Sequence, residues 1–302
     1  MGDGGITNTV WELLFGTGVI QGIQERLPTS VIDLIGLTTH LGDGTLLVGV
    51  AVSLYWLRHS RRSEYAYVIA VGLGALALVA GLKALFVHPR PPEGVWLASE
   101  ANYGFPSAHA LGTTVVFGLL AYISRVGTRT QRYVFAAALV GIVSLSRVVL
   151  GVHYPGDVLG GIAIGLAYLA VVLRYTDGKP MAAFAIALGL SVLMAAIAPN
   201  QYTTATLGGS LGALVGWSLA REKSNSPPMV TIAVVLAVAV PISLGARELV
   251  SVAGPLVETA GFAAVVALTL LIPAIATAVE RTTGFGHRLR RIGRVTQLYG
   301  RT

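Results

Sequence analysis

Residues 133–173 read YVFAAALVGIVSLSRVVLGVHYPGDVLGGIAIGLAYLAVVL. Two apolar runs, 133–152 and 156–173, meet at a junction where Arg147, His153, Pro155 and Asp157 cluster. Each run approaches the ~20 residues that a helix needs to cross about 30 Å of hydrocarbon. A backbone in lipid must pair its amides within its own segment, so these runs read as helices. The alternation of a transmembrane barrel is absent. Ionisable groups at a membrane boundary are costly to hold there, so the junction is expected to have a task.

The whole chain follows the same pattern. Of its 302 residues, 54% are hydrophobic and 12% charged, against roughly 25% charged in a soluble domain. Mean hydropathy is +0.72. The expected fold is all-α, a polytopic transmembrane helical bundle. Apolar runs place about nine spans at 43–57, 66–87, 107–124, 133–152, 156–173, 181–198, 203–220, 229–246 and 259–279. The first is short and is expected to extend back toward Leu37. GGSLGALVG, residues 208–216, repeats glycine at every fourth position; this small-residue stripe is expected to pack within the chain. Residues 1–42 are read as amphipathic segments at the outer surface, with a span over 10–23 as the alternative. The expected division is then 1–42, a membrane core at 43–175 that contains this junction, accessory transmembrane helices at 176–280 and a basic tail at 281–302.

The chain has no cysteine, which excludes disulfides, thiolate catalysis and cysteine-metal sites. Its net charge of +7 does not point to nucleic acid, because the arginines lie in short loops and the tail. No basic residue precedes Arg26, so the opening is not expected to be a secretory signal. Arg58, Arg61 and Arg62 follow span one; Arg125, Arg129 and Arg132 follow span three; Arg174 and Lys179 follow span five; Arg221 and Lys223 follow span seven. The positive-inside rule therefore predicts an integral cell-membrane protein with its C-terminus in the cytoplasm and its N-terminus outside. The tail is read as a topology anchor beside anionic lipid.

Three polar clusters interrupt the apolar pattern: Lys83 with Arg90-Pro91, Pro106-Ser107-Ala108-His109, and Ser146-Arg147 with His153 and Asp157. Span parity puts all three on the outer face. Singly, each has a structural reading: Lys83 and Arg90 as snorkelling side chains, His109 as a cap or core residue, Asp157 as an N-cap. Together they suit a multiply charged anion. Arginine offers a planar fork to phosphate oxygens and lysine adds a point charge. Ser107 and backbone amides at a helix start add donors. Two histidines supply the pair that phosphoryl transfer through a covalent intermediate requires, one to attack and one to protonate the leaving oxygen. Asp157, four residues after His153, can hold one ring nitrogen so that the other faces phosphorus. His88, His59, Tyr103, Tyr154 and Trp96 have no motif support, and Asp33, Glu25 and His40 precede the site with no motif to place them in it.

These stretches resemble the signature of the type 2 phosphatidic acid phosphatase superfamily, which also includes glucose-6-phosphatases and vanadium haloperoxidases. Its pattern is Lys-x6-Arg-Pro, then Pro-Ser-Gly-His, then Ser-Arg-x5-His-x3-Asp. Lys83, Arg90, Pro91, Pro106, Ser107, His109, Ser146, Arg147, His153 and Asp157 match it, and Ala108 replaces the usual glycine. The resemblance covers residues 83–157, with supporting helices to about 175. It implies that His153 is the nucleophile, Asp157 its orienting partner and His109 the general acid. It further implies that Lys83, Arg90, Ser107 and Arg147 bind the phosphoryl group, with the Ala108 amide assisting. No metal or other cofactor is implied, because the cations neutralise the phosphoryl charge.

The expectation is an integral membrane phosphatase, forming a phosphohistidine at the outer face. Its substrate would be a lipid phosphate monoester or pyrophosphate of the polyprenyl phosphate or phosphatidate type. A sugar phosphatase or phosphotransferase resembling glucose-6-phosphatase is the first alternative. A non-catalytic anion-binding or transport protein is the second, although no second polar cluster lies deep in the later spans to make a path. The expected partners are substrate and membrane, with no nucleic acid, and the oligomeric state is left open.

Overall fold

The computed structural model describes residues 3–220 and 254–283. The span expected at 229–246 and the basic tail beyond residue 283 lie outside the described residues. The chain forms α1 (Asp3–Phe15), α2 (Gly18–Gln24), α3 (Thr29–Thr39), α4 (Gly44–Leu57), α5 (Arg62–Phe86), α6 (Ala108–Ile123), α7 (Arg129–Val149), α8 (Pro155–Thr176), α9 (Pro180–Ile197) and α10 (Gln201–Ala220). The last described helix, Pro255–Thr283, is called α11 here.

Local chemistry sets several of these ends. Thr128 Oγ1 accepts from the Gln131 amide at 3.2 Å while Gln131 Oε1 accepts from the Thr128 amide at 2.9 Å. That reciprocal pair satisfies two of the donors a helix start leaves open, and it starts α7. Pro155 opens α8, where a missing N–H costs nothing, and Asp157 Oδ2 accepts the Tyr154 amide at 3.0 Å. Between α8 and α9 the chain turns through Asp177 and Gly178, both at positive φ.

Among the described residues, five helices are long and apolar enough to cross a membrane: the one ending at Phe86, then α7, α8, α9 and α11. The pair α3 and α4, bent by 49° at Asp43, makes a sixth if it counts as one broken span. The chain is thus an integral membrane protein, but the nine spans expected from apolar runs are not reached among the described residues. The physical reasons are specific. With 16 residues, α6 rises only about 24 Å, short of a 30 Å core; α10 is diluted by threonine, serine and glycine. Nor do residues 10–23 form one span, since they fall on two helices of 13 and 7 residues. Before the first expected span, α3 runs back past Leu37, and it meets α4 at a bend rather than continuing as a straight helix.

One hydrophobic core joins most of the bundle. Tyr55 of α4, Val71 of α5, Leu119 of α6, Phe184 of α9, Trp217 of α10 and Leu270 of α11 share it. The core therefore runs across residue 175, the expected edge of the catalytic portion. The glycine stripe packs within the chain, as its spacing suggested. A Cβ on Gly208, Gly212 or Gly216 would lie 2.3, 2.0 or 2.8 Å from backbone atoms of α11. A similar approach brings α8 to α6, where a Cβ on Gly161 would meet the Ser107 carbonyl at 2.8 Å. That contact draws the second and third polar clusters together.

Candidate active site

The three clusters converge where the C-terminal ends of α5 and α7 meet the N-terminal ends of α6 and α8. Residues 87–107 form the long connection over this end and carry Arg90. Lys83, Arg90, Ala108, His109 and His153 line one cavity of about 400 Å³. Ser107, Arg147 and Asp157 stand behind it, at 0%, 2% and 0% exposure. All eight expected site residues thus belong to one locus, five on the cavity wall and three as its buried support.

His153 lies in the turn between α7 and α8 and is 1% exposed. Its Nδ1 is 3.2 Å from Asp157 Oδ2 and its Nε2 is 3.1 Å from an Arg90 guanidinium nitrogen. A carboxylate only accepts and a guanidinium only donates, so the partners fix the tautomer. Nδ1 carries the proton, and the Nε2 lone pair faces Arg90. Burial, then the charges of Arg90, Lys83 and Arg147, hold the His153 imidazole well below the usual histidine range. It is a neutral base at neutral pH.

The cations are fixed from several sides. Arg90 donates to the carbonyls of Val152 at 2.6 Å, Asn102 at 2.9 Å and Ala101 at 3.0 Å. Lys83 Nζ donates to the Tyr103 carbonyl. Arg147 donates to Thr39 Oγ1 at 2.8 Å, tying α7 to α3. Ser107 Oγ accepts the Ala110 amide at the start of α6, and the Ser107 amide donates to the Asp157 carbonyl at 3.0 Å.

Sequence reasoning missed two carboxylates. Glu100 pairs with Arg147 through one oxygen and with Arg90 through the other, the latter at 3.4 Å. Glu100 thus bridges two of the cations that the motifs bring to this cavity. Asp43, at the bend between α3 and α4, accepts from His109 Nε2 at 3.0 Å and from His40 Nδ1 at 2.7 Å. So His109 has an orienting carboxylate of its own. Both acids lie on the same membrane face as the motifs by span parity, which is the signal that could have found them. His88, which has no motif, also reaches the site: its Nδ1 is 3.5 Å from Asp157 Oδ1. Its ring packs against Phe15 at 5.1 Å between centroids, so α1 covers this corner.

The arrangement offers an unprotonated nitrogen aimed into a cavity, an oriented second imidazole and a cluster of fixed cations. That set can bind a phosphoryl group, attack it and protonate what leaves.

The chain is 26% identical over 178 residues to phosphatidylglycerophosphatase B of Bacillus subtilis, covering 53% of this chain and 87% of that protein. It is 33% identical over 125 residues to decaprenylphosphoryl-5-phosphoribose phosphatase of Mycobacterium tuberculosis, covering 40% of this chain and 67% of that protein. Among solved structures, it is similar to a transmembrane PAP2 type phosphatidylglycerolphosphate phosphatase from Bacillus subtilis. The TM-score is 0.48 at 22% identity, over 57% of this chain and 87% of that one. Residues 63–181 match the PAP2 superfamily, and with the motifs gathered on one cavity, the chain belongs to that superfamily.

Proposed function

We propose that this protein is a membrane phosphatase that hydrolyses lipid phosphate monoesters or pyrophosphates through a phosphohistidine on His153. The observation that carries the reading is the state of His153: buried, neutral, with Nδ1 on Asp157 and Nε2 beside Arg90 at the wall of a cationic cavity. The Nε2 lone pair attacks phosphorus, and the bond from phosphorus to the leaving oxygen breaks. The developing imidazolium keeps its Nδ1 proton against Asp157. Lys83, Arg90 and Arg147 offset charge on the phosphoryl oxygens, most strongly in the transition state. His109, with Nε2–H on Asp43, delivers its proton from Nδ1 to the leaving oxygen. Water then attacks the phosphohistidine, His109 accepts a proton from it, and phosphate departs with His153 restored.

A lipid substrate is supported by the named relatives and by the membrane setting of the site. An outer-face location is supported by the arginines. Arg61 donates to the Ile123 carbonyl at 2.7 Å and Arg125 reaches Glu64 at 3.3 Å, so these basic loops adjoin at the end of the bundle opposite the cavity.

Phosphate release by the purified protein in detergent tests the reading, with phosphatidate, a polyprenyl pyrophosphate and glucose 6-phosphate as substrates and EDTA present throughout. Turnover of the lipids that His153→Ala abolishes is expected. Release restricted to glucose 6-phosphate, or dependent on added magnesium, would overturn it.

A further inference from the structure

A second cavity, of about 320 Å³, lies beside the catalytic one between α4, α5, α6 and α11. Among the described residues lining it, only His109 and Thr269 are polar; the remainder are aliphatic or glycine. Leu76, Val79, Ala108 and His109 line both cavities, so the second begins at the general acid. Its far wall is α11, through Val265, Val266, Thr269 and Leu270. That helix is pinned to α4 by two bonds, from Tyr55 Oη to the Leu270 carbonyl at 2.8 Å and from Trp56 Nε1 to the Thr269 carbonyl at 3.0 Å. The polar cavity also borrows a wall from beyond the catalytic portion. Asn200, Tyr202, Ala205 and Thr206 at the start of α10 line it, and Tyr202 Oη accepts from Asn102 Nδ2 at 3.2 Å.

We propose that α10 and α11, which lie outside the segment matching the superfamily, complete a two-part substrate chamber in which α11 walls an apolar cavity holding the hydrocarbon tail of a lipid phosphate. The inference rests on the phosphatase reading and specifies where its substrate lies. A phosphoryl group at His153 Nε2 puts the leaving oxygen at His109. The atoms beyond that oxygen then meet the junction shared by the two cavities. Bilayer hydrocarbon is as apolar as this cavity, so the cavity adds no affinity through burial alone. What it does is let the phosphate reach His153 without drawing methylenes into the aqueous mouth. Each methylene so exposed lowers occupancy about fourfold. A substrate without a tail gains nothing from the cavity.

Filling the cavity tests this. A Cβ on Gly72, which lines it from α5, meets no atom within 4 Å, so Gly72→Phe projects into open space. Val265→Phe enters from the α11 wall. The readout is the ratio of kcat/KM for dioleoyl phosphatidate to kcat/KM for p-nitrophenyl phosphate. Either variant is expected to lower that ratio about 10–100-fold, the equivalent of two or three displaced methylenes, while Gly72→Ala leaves it within a factor of about four. Hydrolysis of the aryl ester reports that each variant is folded, and if one variant is inactive on both substrates the other decides. An unchanged ratio overturns the tail cavity and leaves the phosphatase reading standing. A wild-type protein that releases phosphate from neither substrate overturns the phosphatase reading, and the cavity assignment with it.

Discussion

Asp43 and His109 are 66 residues apart in sequence and 3.0 Å apart in the structure, and that pair sets what each histidine can do. In the proposed mechanism His153 needs a lone pair and His109 a proton, and each has its own carboxylate partner. A general acid matters most for a basic leaving oxygen, so the two roles separate by substrate. His109→Ala should lose about 10²–10⁴-fold on phosphatidate and much less on p-nitrophenyl phosphate, whose phenolate leaves unaided. Asp43→Asn should show the same asymmetry in weaker form, because it acts through His109. Parallel losses on both substrates for both variants would place Asp43 in the framework rather than behind the acid. Glu100 makes the opposite prediction. It bridges Arg90 and Arg147, so in the proposed mechanism it would compete with the phosphoryl group for the same donors. Glu100→Gln should therefore tighten binding of inorganic phosphate by about tenfold or more, about 1.4 kcal/mol per factor of ten. It should also lower stability without phosphate by about 1–3 kcal/mol. That is less than the 3–5 kcal/mol of a fully buried broken pair, because 23% of the Glu100 side chain is exposed. Calorimetric titration with phosphate and thermal unfolding in detergent read the two effects. Weaker phosphate binding would show that Glu100 holds the arginines in place for substrate instead.

At the scale of elements, the site depends on helix ends brought together by close packing. Motif residues were legible in the sequence because they lie close along the chain: four residues carry it from His153 in the turn to Asp157 in the first turn of α8, where the carboxylate reaches Nδ1. Glu100 and Asp43 were not, because their partners are chosen by how a loop and a bend fall in space, and no local spacing encodes that. The count of nine is not reached among the described residues for a related reason. An apolar run gives the composition of a helix, not where it breaks, and α3–α4 bends by 49° where Asp43 turns toward His109. The glycine stripe, by contrast, was readable, since small residues every fourth position mark one face. Gly212→Leu tests that face: its Cβ would sit 2.0 Å from the Ala263 carbonyl oxygen, and backbone cannot yield as a side chain can. A loss of about 1–3 kcal/mol or more is expected, seen as a lower unfolding temperature in detergent. An unaltered transition would mean that α10 and α11 do not pack as described.

Across the whole molecule, the cations of the candidate site lie at one end of the bundle and the arginines of the basic loops at the other. The lack of cysteine makes this open to single-cysteine labelling. Ser99→Cys, in the connection over the site, should react with a membrane-impermeant maleimide in intact cells. Val126→Cys, 81% exposed in the loop between α6 and α7, should react only after permeabilisation. The reverse pattern would place the site in the cytoplasm. The covalent step is the centre of the account, and rapid quenching tests it most directly. The protein is mixed for milliseconds with phosphatidate carrying ³²P in its phosphate, stopped in alkali and digested. The account predicts label that is stable to base and labile to acid on the peptide containing His153, and none in His153→Ala. Labelled peptide persisting in His153→Ala, or turnover by the wild type with no label at His153, would contradict it.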